Sequence, residues 1–168
     1  LLVDPEDPGT ALLAAPWAAF SGEPVVFDPA DIPSGLPVYT LGDVEYAGAA
    51  GAIRGASPEE VAVRFATFED PEQLLFGWGM NAGSLTGYRA YSLARVDDPA
   101  MALLSANLNV CGKPGPLLWT EERKLPQIVN NYVWSQRAAW WVTPLEGPFH
   151  HFFVLGGKEA ITFPAQGQ

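Results

Sequence analysis

The chain has little of what thiol and metal chemistry requires. Its 168 residues hold one cysteine, Cys111, and two histidines, His150 and His151. A single cysteine closes no intrachain disulfide. Cys111 lies in an apolar stretch that reads as helix, where a free thiol ordinarily behaves as a small core residue. Adjacent strand residues point to opposite faces, so His150 and His151 are poorly placed to share a metal, and no other Cys or His completes a zinc set. Positive charge is scarce as well: nine Lys and Arg stand against nineteen Asp and Glu, a formal charge of −10. That balance argues against DNA, RNA and anionic membrane surfaces, which attract clustered Lys and Arg. Long apolar runs are missing. The longest, "ALLAAPWAAF" at 11–20, carries a proline and is about half the ~18 residues of a membrane span.

What remains is a globular composition, 48% apolar and 17% charged, long enough for one medium domain or two small lobes sharing a core. The chain starts at Leu1 and not at Met, so its true N-terminus is expected to have been removed, and any signal or anchor with it.

Helix starts are marked by proline and acidic or hydroxyl caps. Asp7-Pro8 opens a helix predicted to run to Phe20, with a kink or early end at Pro16. Ser57-Pro58-Glu59-Glu60 is a capping box, followed by Val61, Phe65 and Phe68 on one apolar face. Asp98-Pro99 caps a third helix. "LPQIVNNYVWSQR" at 125–137 gives a fourth, with Ile128, Val129, Tyr132 and Val133 inward. Strands are expected at "LLVD" (1–4), "PVVF" (24–27), "PVYTL" (37–41), "QLLFGWG" (73–79), "PLLW" (116–119), "AAWWV" (138–142) and "HHFFVL" (150–155). Both faces of "HHFFVL" are apolar, as in a strand covered on two sides.

The chain repeats itself. Asp7-Pro8 and Asp98-Pro99 stand 91 positions apart, as do Ala11-Leu12-Leu13 and Ala102-Leu103-Leu104. "PVVF" then matches "PLLW" with one inserted residue, and "VYTLGD" at 38–43 matches "FFVLGG" at 152–157. "LLVD" matches "LLFG" once an insert at about 80–97 is removed, and that insert is expected to hold a short helix near Tyr88 and Tyr91. The prediction is an internal duplication: an abridged unit over 1–56 and a fuller one over 57–168, packed as one domain. Strands alternating with helices imply right-handed crossovers. The expected fold class is therefore α/β: a Rossmann-like, mainly parallel sheet flanked by helices, built from two strand-helix-strand pseudo-repeats.

The segments "TALLAAPWAAFSGEPVVF", "AMALLSANLNVCGKPGPLLWT", "KLPQIVNNY", "FFVLGGKEAIT" and "AIRGASPEEVAVRFA" together resemble the type 2 cell-wall-binding repeat of bacterial surface proteins. The resemblance runs in patches over most of residues 7–168. It implies a Rossmann-like unit without catalysis, an extracytoplasmic location at the cell surface or periplasm, and attachment to an envelope polymer. The family usually carries three such repeats, whereas this chain holds two, one abridged, and is acidic, tryptophan-rich and poor in lysine.

Catalytic motifs are fragmentary. "GSLTG" at 83–87 is not a nucleophile elbow, because Ser84 follows Gly83 directly. "GWGMNAG" at 77–83 follows a strand as a dinucleotide loop would, but lacks the third glycine and is crowded by Trp78 and Met80. No cofactor or metal is expected. Two functions from different classes follow. One is a non-catalytic scaffold or attachment module that docks on an envelope protein assembly as an accessory subunit, or on an envelope polymer, with no nucleic acid and no membrane span. The other is a small-molecule-binding or hydrolytic enzyme using the 77–83 loop. The first places the interface on Trp78, Trp134, Trp140 and Trp141, since aromatic anchors are enriched where proteins dock.

Overall fold

The computed structural model describes residues 1–68, 88–110, 115–135 and 149–162. Among the described residues six strands form two parallel three-stranded sheets flanked by helices, an α/β fold. The first sheet has the order β1 (Leu2–Val3), β2 (Tyr39–Leu41), β3 (Gly51–Ile53). The second has β5 (Leu117–Thr120), β4 (Tyr88–Arg95), β6 (Phe149–Val154).

Between β1 and β2 lie α1 (Pro8–Ala11), α2 (Ala14–Ser21) and a 3-10 turn at Pro29–Asp31. Asp7 caps α1, its carboxylate accepting from Thr10 N at 3.1 Å. The predicted long helix breaks at Leu12-Leu13 and not at Pro16. Pro16 falls in the first turn of α2, where its missing N–H has no helical partner to lose. α3 (Pro58–Thr67) has the expected cap: Ser57 Oγ accepts from Glu60 N at 3.3 Å, and Glu60 reaches back to accept from Ala56 N at 2.9 Å. α4 (Pro99–Ala102) and α5 (Leu104–Val110) connect β4 to β5. α6 (Gln127–Ser135) connects β5 to β6, and α7 (Gly157–Ala160) follows.

The structure corrects the reading of 80–97. Tyr88 and Tyr91 lie on β4, the central strand of its sheet, and not on a helix of an insert. Their three-residue spacing imitates a helix face. A parallel strand buried on both sides has no polar alternation to correct that impression, and Ala90, Tyr91, Ser92, Leu93 and Ala94 are all buried. Leu93 of β4 stands 91 positions beyond Leu2 of β1, the same offset as the helix caps, whereas "LLFG" lies outside the described residues. Leu2 stands between Val26 and Thr40, and Leu93 stands between Leu118 and Val154.

Two further strand readings change. "PVVF" makes only a bridge at Val26, whose N donates to Leu1 O at 2.8 Å and whose O accepts from Val3 N at 3.0 Å. β3 went unread because Gly-Ala-Ile is too short and too poor in β-branched residues to stand out. β6 forms as expected but is less covered than its composition implies. Phe152 remains exposed while stacking on Tyr91 with ring centroids 5.3 Å apart. The strands at "QLLFGWG" and "AAWWV" lie outside the described residues.

One apolar core joins both halves of the chain, from Val3, Leu13, Trp17 and Leu41 to Phe65, Leu93, Trp119, Val129 and Ile161. Trp17 meets Phe65 at 6.3 Å. Trp119 is fully buried and donates its indole N–H to Gly9 O at 2.7 Å, tying β5 to α1. β5 and β6 flank β4 on opposite sides, so right-handed crossovers place α4–α5 on one face of this sheet and α6 on the other. α6 lies on the Tyr91 face, where Tyr132 meets Tyr91 edge-on at 6.1 Å.

Candidate functional site

α6 is anchored from within and uncharged from without. Val129 and Tyr132 are buried, and Ile128 and Val133 pack against the core from either side. The helix also rests on α3 and β5. Helical geometry then turns Gln127, Asn130, Asn131 and Trp134 to the opposite side, at spacings i, i+3, i+4 and i+7. Gln127 and Asn131 are exposed, Asn130 is half-buried, and Trp134 is 72% exposed. No residue of α6 carries a charge, in a chain of formal charge −10.

The amides are organised. Gln127 Nε2 donates to Asn131 Oδ1 at 2.7 Å. That bond uses a Gln127 N–H and the Asn131 carbonyl, so the Gln127 carbonyl is left as an acceptor and the Asn131 amide as a donor on an exposed pair. Trp134 follows one turn later. Helical side chains lean toward the N-terminus, so the indole projects back over the Asn130–Asn131 turn. An indole left in water forgoes roughly 1.5–3 kcal/mol of burial.

Trp134 is the member of the predicted interface set that the described residues include. Trp78, Trp140 and Trp141 lie outside them, as do the 77–83 loop, Ser84 and Cys111. Trp17 and Trp119, by contrast, are core residues. His150 and His151 are consecutive on β6, in register with Arg89 and Ala90. Among the described residues no group of three His, Cys, Asp or Glu is arranged to hold a metal, and no helix is long and apolar enough to cross a membrane.

The perturbed ionisable groups serve the frame. Arg95 pairs with Asp97, approaches Glu122 at 3.9 Å, and donates to Ala160 O at 3.3 Å. The hydrogen bond from Arg95 holds the Asp97 carboxyl below its ordinary value, and the same bond raises Arg95. Glu60 is lowered by the hydrogen bond from Ala56 N and then by Arg64.

The sequence reading found the aromatic and missed the amides beside it. Their spacing places Gln127, Asn130 and Asn131 on the face of Trp134, but the hydrogen bond that joins Gln127 to Asn131 is not written in that spacing. A second exposed apolar strip, Leu103, Leu104 and Val110, lies on α4–α5 and thus on the other side of the sheet from α6. No protein-family model matches the chain, and neither a curated protein nor a solved structure matches it significantly.

Proposed function

We propose that this chain is a non-catalytic, extracytoplasmic binding module that docks on the cell envelope through an exposed aromatic surface. The observation that carries the reading is Trp134. It is a large indole held outward on a helix whose inner face is fixed by Val129 and Tyr132. Rigid presentation of an aromatic anchor lowers the ordering cost of binding.

Two lines support a module of cell-wall-binding-repeat type, and with it the envelope. The first is the resemblance of the quoted segments to the type 2 cell-wall-binding repeat. The second is the shared register of the two sheets, Val26–Leu2–Thr40 and Leu118–Leu93–Val154, each preceded or followed by matched caps and glycines. Both favour a duplicated α/β unit of that kind. In this reading each unit supplies one three-stranded sheet, and α2 of the first packs along α5 of the second.

The test is co-sedimentation of the purified chain with envelopes isolated from the source organism. Saturable binding at moderate salt is expected. A chain that stays in the supernatant across the accessible concentration range contradicts the reading.

A further inference from the structure

We propose that the outward face of α6 is a stacking platform for an uncharged, hydroxyl-rich glycan. The inference rests on the binding-module reading above and names the chemistry of the partner. A pyranose ring has an apolar face of C–H groups and a rim of hydroxyls that both donate and accept. Trp134 supplies the flat apolar surface, 72% open to solvent. The Gln127–Asn131 pair, joined at 2.7 Å, keeps one carbonyl acceptor and one amide donor for a ligand, and hydroxyls can engage both. Asn131 stands three residues and Gln127 seven residues before Trp134, about 4.5 Å and about 10.5 Å along the axis, a span on the scale of one to two sugar rings.

Other occupants fit this face less well. An anionic polymer calls for Lys or Arg, and α6 has neither. A protein hot spot sits in a well-packed, fully desolvated pocket, where polar side chains must all find partners. The residues one and two turns before Trp134 on its own face are the amides Asn131, Asn130 and Gln127. Amides suit a ligand that brings its own hydroxyls.

The experiment uses envelope material from the source organism in three forms: untreated, protease-treated polysaccharide retained by an anion exchanger, and protease-treated polysaccharide not retained. Each is titrated into the full chain by calorimetry. The unretained, neutral fraction is expected to bind. Trp134→Ala should weaken it about tenfold or more, as loss of a stacking aromatic does, and Trp134→Phe should restore most of it. The double variant Gln127→Ala with Asn131→Ala should also weaken it about tenfold, with an unchanged Tm. Binding confined to the anionic fraction, or indifferent to Trp134→Ala, overturns the proposal. Binding confined to untreated envelope points to a protein partner; it overturns the glycan assignment and leaves the docking module standing. Binding to none of the three forms removes both.

Discussion

Gly42 backs onto Thr10: a Cβ at Gly42 would stand 2.5 Å from Thr10 Cγ2. Gly42 also has φ +86°, a conformation that side chains disfavour. Gly156, at the corresponding place in "FFVLGG", has φ +92° and is closed in by Ala160, whose Cβ would stand 2.6 Å from an added Cβ, with Met101 at 3.9 Å. Gly42→Ala should therefore cost about 1–3 kcal/mol in urea unfolding. Thr10→Ala in the same chain should recover the steric part and leave the backbone part. Equal stability of Gly42→Ala and the parent chain would contradict the packing described.

Asn109 clamps the entry to β5. Its Oδ1 accepts from Gly115 N at 2.9 Å, and its Nδ2 donates to Ser105 O at 2.7 Å, all in buried surroundings. Gly115 has no room for a side chain, since a Cβ would stand 1.9 Å from Ala90 O. Asn109→Ala strands a buried N–H, and a loss of about 1–3 kcal/mol is expected. Chemical denaturation reads it directly.

Thr40 offers the opposite sign. Its hydroxyl is buried in the middle strand of the first sheet and has no hydrogen-bond partner among the described residues. Thr40→Val keeps the shape and removes the orphan. It should raise stability by about 1 kcal/mol. A lower Tm for Thr40→Val would mean that the hydroxyl is satisfied.

Glu60 makes the α3 cap sensitive to acid. Its carboxyl is lowered in the folded chain by the Ala56 N–H and by Arg64. A lowered folded value means that the contribution is complete above the ordinary glutamate value. It is lost as pH falls through the lower folded value. The Tm gap between the parent chain and Glu60→Ala should be constant near neutrality and shrink with acidification. A gap that widens in acid would contradict this sign.

Much of the frame was legible because caps are local chemistry. Asp7-Pro8, Ser57-Pro58 and Asp98-Pro99 each open a helix where expected, although the Asp98 side chain makes no capping hydrogen bond. Pro16 was misjudged because a proline is harmful only past the first turn, and the Leu12-Leu13 break resets the count. β4 was misread because burial on both faces erases the period of two. Trp134 was legible as an aromatic near the end of an amphipathic helix. The amide pair beside it was not, because Gln127 and Asn131 gain meaning only from the hydrogen bond that orients them.

Backbone hydrogen exchange of the chain, free and bound to isolated envelope, tests the docking face most directly. Slowed exchange at the outward, C-terminal half of α6, around Asn131 and Trp134, is the predicted result. Slowed exchange confined to the Leu103–Val110 strip, or exchange unchanged throughout on saturating envelope, would contradict the assignment of α6 as the surface that binds.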